Sequence, residues 1–150
     1  MKKNVLILSS SPRRHGNSDL LCDRFLEGAK DAGHNVEKIF LKDKDINYCT
    51  GCSSCSMGKS CPQKDDMPEL LEKMIVMATP GEVYTMCGQM KTFIDRTCAR
   101  YQEISDKDFY FILSAAVEYK EAMERTVDAF RGFTDCLENP KEKGIIYGVG

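Results

Sequence analysis

An apolar run that stops abruptly in hydroxyl groups is the feature that most constrains the fold of this chain. Residues 5–8 read Val-Leu-Ile-Leu, and residues 9–11 are three serines. An unbroken run of this length is typical of a strand that is buried on both faces, as in a parallel sheet. The polar turn leads into a segment with Leu21, Phe25 and Ala29 at helical spacing, which Asn17 or Ser18 can cap. The sequence therefore predicts a strand, a polar turn and a helix.

The turn after this strand carries the groups that bind a phosphate. Serine hydroxyls and the guanidinium of Arg13 are donors, and the first backbone N–H groups of a helix have no partner within the helix. The sequence contains neither G-x-G-x-x-G nor G-x-x-x-x-G-K-[ST], which excludes the commonest loops for a dinucleotide or a nucleoside triphosphate. A site for a single phosphate remains, with an ordinary turn of solvated serines as the alternative.

Composition limits the class of protein. The 150 residues carry 21 basic and 23 acidic side chains, so no strong positive field attracts nucleic acid or an anionic membrane. The apolar run near the start is too short for a signal peptide, and no run approaches the roughly 18 residues of a membrane span. We expect a cytoplasmic protein whose eight cysteines serve thiolate chemistry rather than a disulfide framework.

Apolar segments alternate with amphipathic ones along the rest of the chain. Strands are predicted at residues 5–8, 36–41, 75–79, 109–116 and 144–147. Further helices are predicted at residues 66–74, with a capping box of Asp66 and Glu69, and at residues 87–101 and 118–137. This alternation predicts one α/β domain over residues 1–150. Its core is a doubly wound, five-stranded parallel sheet, covered by helices on both faces as a three-layer sandwich. The flavodoxin-like order 2-1-3-4-5 is expected because it fits a mononucleotide better than a Rossmann order does.

Two positions fit this fold poorly. The capped helix reaches Met74 and the third strand begins at Ile75, which leaves almost no connection between them. The chain also ends at Gly150, directly after the fifth strand, with no final helix. Ligands of such folds bind beyond the carboxyl ends of the strands, so we expect the site at residues 9–18, 79–87 and 114–119.

The most specific motif is a run of four cysteines in a loop at about residues 46–64. Cys49, Cys52, Cys55 and Cys61 follow the spacing C-x2-C-x2-C-x5-C, and Pro62 comes directly after the last of them. Four thiolates this close in sequence can converge on one soft metal centre, and two-residue gaps are typical of iron–sulfur ligation. A four-thiolate zinc site and four unmetallated thiols remain as alternatives.

Three segments resemble those of one family. Residues 9–18, SSSPRRHGNS, resemble the G-S-P-R-x-x-G-N-[ST] loop of the flavodoxin-like NAD(P)H-dependent FMN reductases, with Ser10 in place of the usual glycine. Residues 88–96, GQMKTFIDR, resemble the K-x-F-I-D-R segment of that family. The cysteine spacing matches the iron–sulfur flavoprotein branch of the same superfamily, and the resemblance extends over residues 5–149.

The resemblance implies roles for individual residues. The serine-rich loop would hold the FMN phosphate, the segment after the third strand would contact the isoalloxazine ring, and the end of the fourth strand would complete the site. Glu82 stands where the family has a tyrosine. The cofactor-binding residues implied in this way are Ser9, Ser11, Arg13, Asn17, Ser18, Pro80, Val83, Tyr84, Thr85, Met86, Ser114 and Ala115. The ligands implied for a [4Fe-4S] cluster are Cys49, Cys52, Cys55 and Cys61.

The resemblance also implies an activity. An iron–sulfur flavoprotein of this kind would move electrons from NAD(P)H or a reduced carrier protein through FMN, and through a [4Fe-4S] cluster, to an acceptor. It would assemble as a homodimer or homotetramer, and no acid–base pair or nucleophile is expected. The alternatives are a cluster-free NAD(P)H-dependent FMN or quinone reductase, a flavodoxin-like electron carrier, and a zinc-stabilised module without flavin.

The sequence also suggests roles for residues outside these motifs. Cys22, Cys98 and Cys136 fall on predicted helix faces, where we expect small core side chains. Cys87 lies at the mouth of the predicted site, and we expect a buried thiol there. Asp95 and Arg96 are expected to form a charge pair on a helix surface.

Overall fold

The computed structural model describes residues 2–71 and 74–150, which form a mixed sheet packed between helices. The strands are β1 (Asn4–Ser9), β2 (Asn35–Phe40), β3 (Met74–Glu82), β4 (Thr85–Met86), β5 (Asp108–Ala115) and β6 (Lys141–Val149). The α-helices are α1 (Asn17–Asp31), α2 (Met67–Leu70), α3 (Gly88–Thr97) and α4 (Glu124–Thr134). Among the described residues, no helix is long and apolar enough to cross a bilayer.

The long strands run in the order β2-β1-β3-β5-β6, and every neighbouring pair is parallel. Counted without the two-residue β4, this is the order 2-1-3-4-5, so the predicted doubly wound α/β fold is confirmed. The added strand β4 is antiparallel and pairs with the end of β3. The second strand in the chain is more charged than the first and lies at a sheet edge, as such a strand is expected to do.

The first strand shows how the sheet separates two cores. Val5 and Ile7 pack with Cys22 of α1 on one face, whereas Leu6 and Leu8 belong to a larger core on the other. Successive side chains of a strand point to opposite faces, so an unbroken apolar run supplies both cores at once. The larger core contains apolar side chains of α2, α3 and α4, which together form the third layer.

The predicted end of the third strand is wrong. We expected it to stop at Thr79, but β3 continues through Pro80 to Glu82. Its last two residues turn back on β4, with Gly81 opposite Met86 and Glu82 opposite Thr85. A proline is tolerated here because the chain continues as a hairpin at the end of the sheet. The segment after the third strand is therefore ordered hairpin rather than loop.

The capping box predicted at Asp66 and Glu69 is also wrong. Asp66 Oδ2 accepts a hydrogen bond from the backbone N–H of Asp45 (2.9 Å), and Glu69 forms an ion pair with Lys44 at 3.6 Å. The helix extends only over Met67–Leu70, and Met74 already belongs to β3. The short connection that the sequence suggested falls on residues 72–73, which lie outside the described residues.

Two helices end earlier than the apolar periodicity predicts. α3 stops at Thr97 rather than at residue 101, and α4 occupies only residues 124–134 of the predicted 118–137. In both, the final threonine donates its hydroxyl hydrogen bond to the carbonyl three residues earlier, from Thr97 to Ile94 (2.7 Å) and from Thr134 to Arg131 (3.1 Å). Such local bonds compete with the helical pattern.

Candidate functional site

The carboxyl ends of three neighbouring strands meet at one end of the sheet. β1 stops with Ser9 beside Ala78 of β3, and β3 runs on until Pro80 lies beside Ser114 of β5. The strand order changes direction at β1, because β2 lies on one side of β1 and β3 lies on the other. Open α/β sheets bind ligands at such a switch point. Residues 9–18, from the last residue of β1 into the first turn of α1, are called the serine turn below and therefore face the ends of β3 and β5.

The first two hydroxyls of the serine turn lie deep in the protein. Ser9 is fully buried, and its Oγ makes no hydrogen bond to a nitrogen or oxygen atom of the described residues, although it interacts with the thiol of Cys22. Ser10 Oγ donates to the carbonyl of Ala78 (2.9 Å), and the Cys87 thiol donates to Ser10 Oγ (3.0 Å). Leaving a buried hydroxyl unpaired costs about 1–3 kcal/mol, so Ser9 is a donor that a bound oxyanion can satisfy. Ser10 instead fixes the turn to β3.

In the second half of the serine turn, the two arginines, Arg13 and Arg14, differ in what they contact. Ser11 Oγ accepts from the backbone N–H of Arg13 (3.2 Å) and donates to its carbonyl (2.9 Å), which closes a tight local turn. Arg14 pairs with Asp43 and lies 4.4 Å above the ring of Phe40. Arg13 is exposed and forms no ion pair with a described residue. Of the two guanidinium groups, that of Arg13 is therefore the one that a ligand can engage.

The start of α1 differs from the sequence interpretation. The N-cap residue is Gly16, and it makes no side-chain hydrogen bond to the helix, so the expected caps Asn17 and Ser18 are wrong. Asp19 is drawn back to the turn, where it accepts from the backbone N–H of His15 (2.7 Å) and from Lys38 Nζ (2.7 Å). The first N–H groups of α1 thus have no side-chain cap, which leaves an anion-binding helix terminus.

Asp19 is an acidic group at this terminus, but Lys38 compensates its charge. Burial raises the pKa of Asp19, whereas the hydrogen bonds from Lys38 and from the His15 N–H lower it by more, so the carboxyl stays ionised and paired. A paired carboxylate repels a bound anion less than an isolated one would.

Ser18 and Ser114 join the serine turn to β5. Both side chains are buried, and Ser114 Oγ donates to Ser18 Oγ over 2.9 Å. Nearby, a Cβ atom added to Gly81 would lie 3.2 Å from the Cβ of Ala115, so the ends of β3 and β5 approach closely. The structure therefore brings Ser9, Ser18, Gly81, Ser114 and Ala115 to one end of the sheet.

The residues that the resemblance assigns to the ring lie in the β3–β4 hairpin. Val83 and Tyr84 form its two-residue turn with φ values of 46° and 66°, and they are 93% and 61% exposed. A turn with two positive φ angles matches the twist of a hairpin, but a β-branched residue such as Val83 adopts that conformation at a cost. Arg125 lies 5.4 Å from the centre of the Tyr84 ring. Thr85 is exposed, whereas Met86 is buried in the core.

The four cysteines of the motif lie in a segment with little regular structure. Residues 46–64, called the cysteine loop below, contain a single 3-10 turn at Cys55–Met57. Cys49, Cys52, Cys55 and Cys61 all line one cavity of about 210 Å³. Within the described ranges, however, no three His, Cys, Asp or Glu side chains are close enough together to hold a metal ion. The structure thus places the four thiols around one cavity without gathering them at ligand distances.

A buried ion pair ties the two ends of this loop together. The side chains of Arg96 and Asp65 are 3% and 0% exposed and form a bidentate pair. Arg96 Nη1 also donates to the carbonyl of Asn47 (2.8 Å), and Asp65 accepts from the backbone N–H groups of Asn47 (3.1 Å) and Met67 (3.3 Å). The expected surface pair of Asp95 with Arg96 is therefore wrong, because Asp95 pairs with Lys91 instead.

The guanidinium of Arg96 also faces the thiols. Its Nη2 lies 3.6 Å from Cys61 Sγ, and its Nε, which is buried, has no hydrogen-bond partner among the described residues. The hydrogen bonds from Arg96 bring the pKa of Asp65 to about 2, although burial alone would raise it. The hydrogen bond with Asp65 raises the pKa of Arg96 in turn. No sequence pattern predicted this pairing, since 31 residues separate the partners.

Cysteines outside the motif are placed partly as expected. Cys22 and Cys87 are buried, which confirms the predictions for these two. Cys98 and Cys136 are exposed rather than part of the core, because α3 and α4 end before or close to them. Cys98 lies in the wall of the cysteine-lined cavity.

Similar proteins were found in sequence and in structure. An iron-sulfur flavoprotein of Archaeoglobus fulgidus is 41% identical over 99 residues, which are 63% of this chain and 44% of that protein. A putative NAD(P)H-dependent FMN-containing oxidoreductase of Bacillus subtilis, YwqN, is 25% identical over 146 residues, 94% of this chain and 71% of that protein. The chain spans about half the length of the curated iron-sulfur flavoproteins that it matches.

Among solved structures, RosB with bound 8-demethyl-8-formylriboflavin-5'-phosphate superposes with a TM-score of 0.77 and 16% identity. The superposition covers 99% of this chain and 65% of RosB, and it shows a common fold. The family model of the NADPH-dependent FMN reductases matches residues 3–140. That match extends from β1 to the start of the last strand, and the chain therefore belongs to the NADPH-dependent FMN reductase family.

Proposed function

We propose that the chain binds FMN at the ends of β1, β3 and β5 and acts as an oxidoreductase with NAD(P)H or a reduced carrier as electron donor. The observation that carries this proposal is the helix terminus of α1, which has no side-chain cap and lies beside the buried hydroxyl of Ser9 at the switch point of the sheet. Family membership supports it. When bound, FMN accepts two electrons and can release them one at a time.

The residues of the serine turn fit a phosphate in different ways. Ser9 would donate through its hydroxyl, Arg13 through its guanidinium, and Asn17 and Ser18 through the N–H groups of the first helical turn. The hydroxyls of Ser11 and Ser18 already have partners inside the protein, so their part is to shape the turn. A set of neutral donors with one cation binds a dianion without burying an unpaired charge.

The ring would lie against the β3–β4 hairpin and the end of β5. Pro80, Thr85 and Ala115 provide backbone groups and small side chains there, while Val83 and Tyr84 are exposed at the hairpin tip. A ring that stacks on Tyr84 would bury a largely exposed aromatic face. Met86 is already packed in the core and supports the hairpin from below.

Binding of FMN and riboflavin by fluorescence quenching tests this proposal, because the two flavins differ only in the phosphate. We expect FMN to bind at least about tenfold more tightly, and Arg13→Ala to weaken FMN binding by about tenfold or more without changing riboflavin binding. Arg14→Ala is the matched control, since Arg14 is paired with Asp43. Equal affinities for FMN and riboflavin would contradict the proposed site.

We further propose that Cys49, Cys52, Cys55 and Cys61 hold a [4Fe-4S] cluster, which would pass single electrons. Their spacing, their common cavity and the similarity to proteins named iron-sulfur flavoprotein support this. The hydrogen bond with Ser54 lowers the pKa of the Cys52 thiol and thus favours the ligating thiolate. Arg96 Nη2, 3.6 Å from Cys61 Sγ, would donate a hydrogen bond to a ligating thiolate there.

Reconstitution with iron and sulfide under anaerobic conditions tests the cluster. We expect about four irons per chain in the unaltered protein, a clear loss in Cys52→Ser, and no loss in Cys136→Ser, which lies outside the motif. Zinc in place of iron, or retention of iron by Cys52→Ser, would contradict the cluster.

A cluster-free FMN or quinone reductase is the second candidate. It is favoured by one observation, that no three potential ligands in the described ranges are gathered around a metal position. Such a protein would bind FMN and oxidise NAD(P)H without iron. Iron analysis of the active protein distinguishes the two candidates.

The proposal also includes assembly and location. An apolar groove of about 830 Å³ runs between α3 and α4 and is lined by Met86, Ile94 and Phe133, among others. A homodimer or homotetramer would bury this apolar surface between subunits. We expect this assembly to be cytoplasmic. Light scattering of the purified protein at several concentrations tests the assembly, and a monomer at every concentration would contradict it.

A further inference from the structure

Cys98 stands next to the cysteine loop, although it is 37 positions beyond the last cysteine of the motif. It is the first residue after α3 and is exposed, so a rigid element presents its thiol. It lines the 210 Å³ cavity together with the four cysteines of the motif. The chain therefore carries a fifth thiol at this cavity, fixed by a helix rather than by the loop.

The nearest neighbour of this thiol is Cys55. The two Sγ atoms lie 4.0 Å apart, and in the described part of the chain they are the one pair of thiols in hydrogen-bond contact. A disulfide requires about 2.05 Å between the sulfurs, so about 2 Å of movement would join them. Cys55 lies in the middle of a loop that the Arg96–Asp65 pair fixes only at its ends. Rotation of its side chain with a small shift of the loop can supply that movement.

Both thiols can be reached from solvent. Cys55 is half-buried and Cys98 is exposed. Cys98 also lines the apolar groove between α3 and α4, so its thiol borders two open cavities. A small-molecule disulfide can therefore approach the pair without unfolding the domain.

We propose that Cys55 and Cys98 form a reversible disulfide in the metal-free protein, by exchange with a small-molecule disulfide such as oxidised glutathione. The Cys55 thiolate attacks one glutathione sulfur, the glutathione S–S bond breaks, and one glutathione leaves as thiolate. The Cys98 thiolate then attacks the Cys55 sulfur and releases the second glutathione. The protein loses two thiol protons and two electrons, and oxidised glutathione becomes two reduced glutathiones.

The exchange has a consequence for the cysteine loop. A Cys55–Cys98 bond would hold the loop against the end of α3 and withdraw Cys55 from metal binding. A metal on Cys55 would, conversely, keep this sulfur out of the exchange. This competition rests on the proposed cluster, whereas the exchange itself does not.

The test uses the full chain as purified and after anaerobic removal of metal by a chelator. Both samples are treated with oxidised glutathione and analysed by intact mass and by peptide mapping. We expect the metal-free protein to lose two hydrogens and to yield a peptide that links Cys55 to Cys98. Cys98→Ser should remove this link, and Cys136→Ser, a change of another exposed cysteine that lines the same groove, should not.

Each outcome separates the two proposals. A disulfide within the cysteine loop that forms as fast as the Cys55–Cys98 link, or a glutathione adduct that persists on Cys55 while Cys98 stays free, would overturn the inference. A Cys55–Cys98 link in protein that never binds iron would retain the inference and overturn the cluster. If protein that has bound iron gives no such link after chelation, the cluster is retained and the inference is overturned.

Discussion

The serine turn and the cysteine loop contact opposite ends of α3, at Cys87 and at Cys98, and are held in different ways. The serine turn connects a central strand to a helix of 15 residues, and its polar atoms bond to the sheet at Ala78 and Ser114. The cysteine loop has one 3-10 turn, and its thiols are exposed or half-buried. Its ends are joined by Asp65, directly after the loop, and Arg96 of α3, which both bond to Asn47.

The difference shows two ways to position a binding group. In the serine turn, neighbouring residues and the strand fix the geometry before any ligand binds, so little ordering is needed on binding. In the cysteine loop, the Arg96–Asp65 pair and the hydrogen bonds of Asp45 with Asp66 and of Gln63 with Tyr48 hold the ends together, and the positions of the thiols depend on what they bind. We therefore expect substitutions at Arg96 and Asp65 to alter the structure of the cysteine loop, and substitutions in the serine turn to alter that turn alone.

The largest effect is expected from Arg96→Met. It leaves the Asp65 carboxylate buried without its partner, and breaking a buried ion pair from one side costs about 3–5 kcal/mol. Urea unfolding should show this loss in the free energy of unfolding, and hydrogen exchange should show opening of residues 47–65 ahead of the sheet.

Two variants serve as controls for that change. Lys91→Ala breaks an exposed pair on the same helix and should cost less than about 1 kcal/mol. The double variant Arg96→Met/Asp65→Asn should recover part of the stability, because no buried charge remains. A cost below about 1 kcal/mol for Arg96→Met would show that the pair does not hold the loop.

Acid should open the cysteine loop before the serine turn. The pKa of Asp65 is about 2 in the folded protein against its usual 3.8, so its stabilising effect is complete above that usual value. It is lost as the pH falls from about 4 to about 2, which removes about 2 kcal/mol of the unfolding free energy. Hydrogen exchange between pH 2 and 5 should detect opening of residues 47–65 first. An equal pH dependence in Arg96→Met/Asp65→Asn would contradict this assignment.

A smaller loss is expected from Ser114→Ala, which leaves the buried hydroxyl of Ser18 without its donor. We expect a loss of about 1–2 kcal/mol in the unfolding free energy. Ser18→Ala should cost a similar amount, and the double variant should cost less than the sum, because the two hydroxyls share one bond. Additive losses would mean that the hydroxyls act independently.

The smallest effect should be a gain in stability. Val83 is 93% exposed and has a φ of 46°, so Val83→Asn removes strain while losing almost no packing. Asparagine is favoured in such two-residue turns, and we expect thermal unfolding to show a gain of about 1 kcal/mol or less. Ala substituted for Gly33, whose φ is 84°, should have the opposite sign. A loss in Val83→Asn would show that the valine side chain makes a stabilising contact.

The fold was predictable from local patterns. Side chains of the apolar run at residues 5–8 pack into both cores, and a run that is buried on both faces predicts a central parallel strand. The parallel sheet followed from the alternation of strands and helices, whereas its order was chosen because 2-1-3-4-5 fits a mononucleotide better than a Rossmann order does. The ends of α3 and α4 were not predictable, because apolar periodicity continues past Thr97 and Thr134, whose hydroxyls bond to carbonyls of the preceding turn.

The site was predictable in part. The serine turn contains its own donors, so its position after β1 followed from sequence. The pairing of Arg96 with Asp65 did not, since it joins residues of distant segments and neighbouring Asp95 offered a nearer partner. The proximity of Cys98 to Cys55 was not predictable for the same reason, since it depends on how the cysteine loop packs against α3.

The most direct test of the two-region view is an anaerobic absorbance spectrum of the purified protein, with flavin, iron and sulfide quantified in the same sample. We expect a flavin spectrum over a broad iron–sulfur absorbance, one FMN and about four irons per chain, and bleaching when NADPH is added. Protein that contains neither flavin nor iron, and binds neither on reconstitution, would contradict the proposed function of both regions.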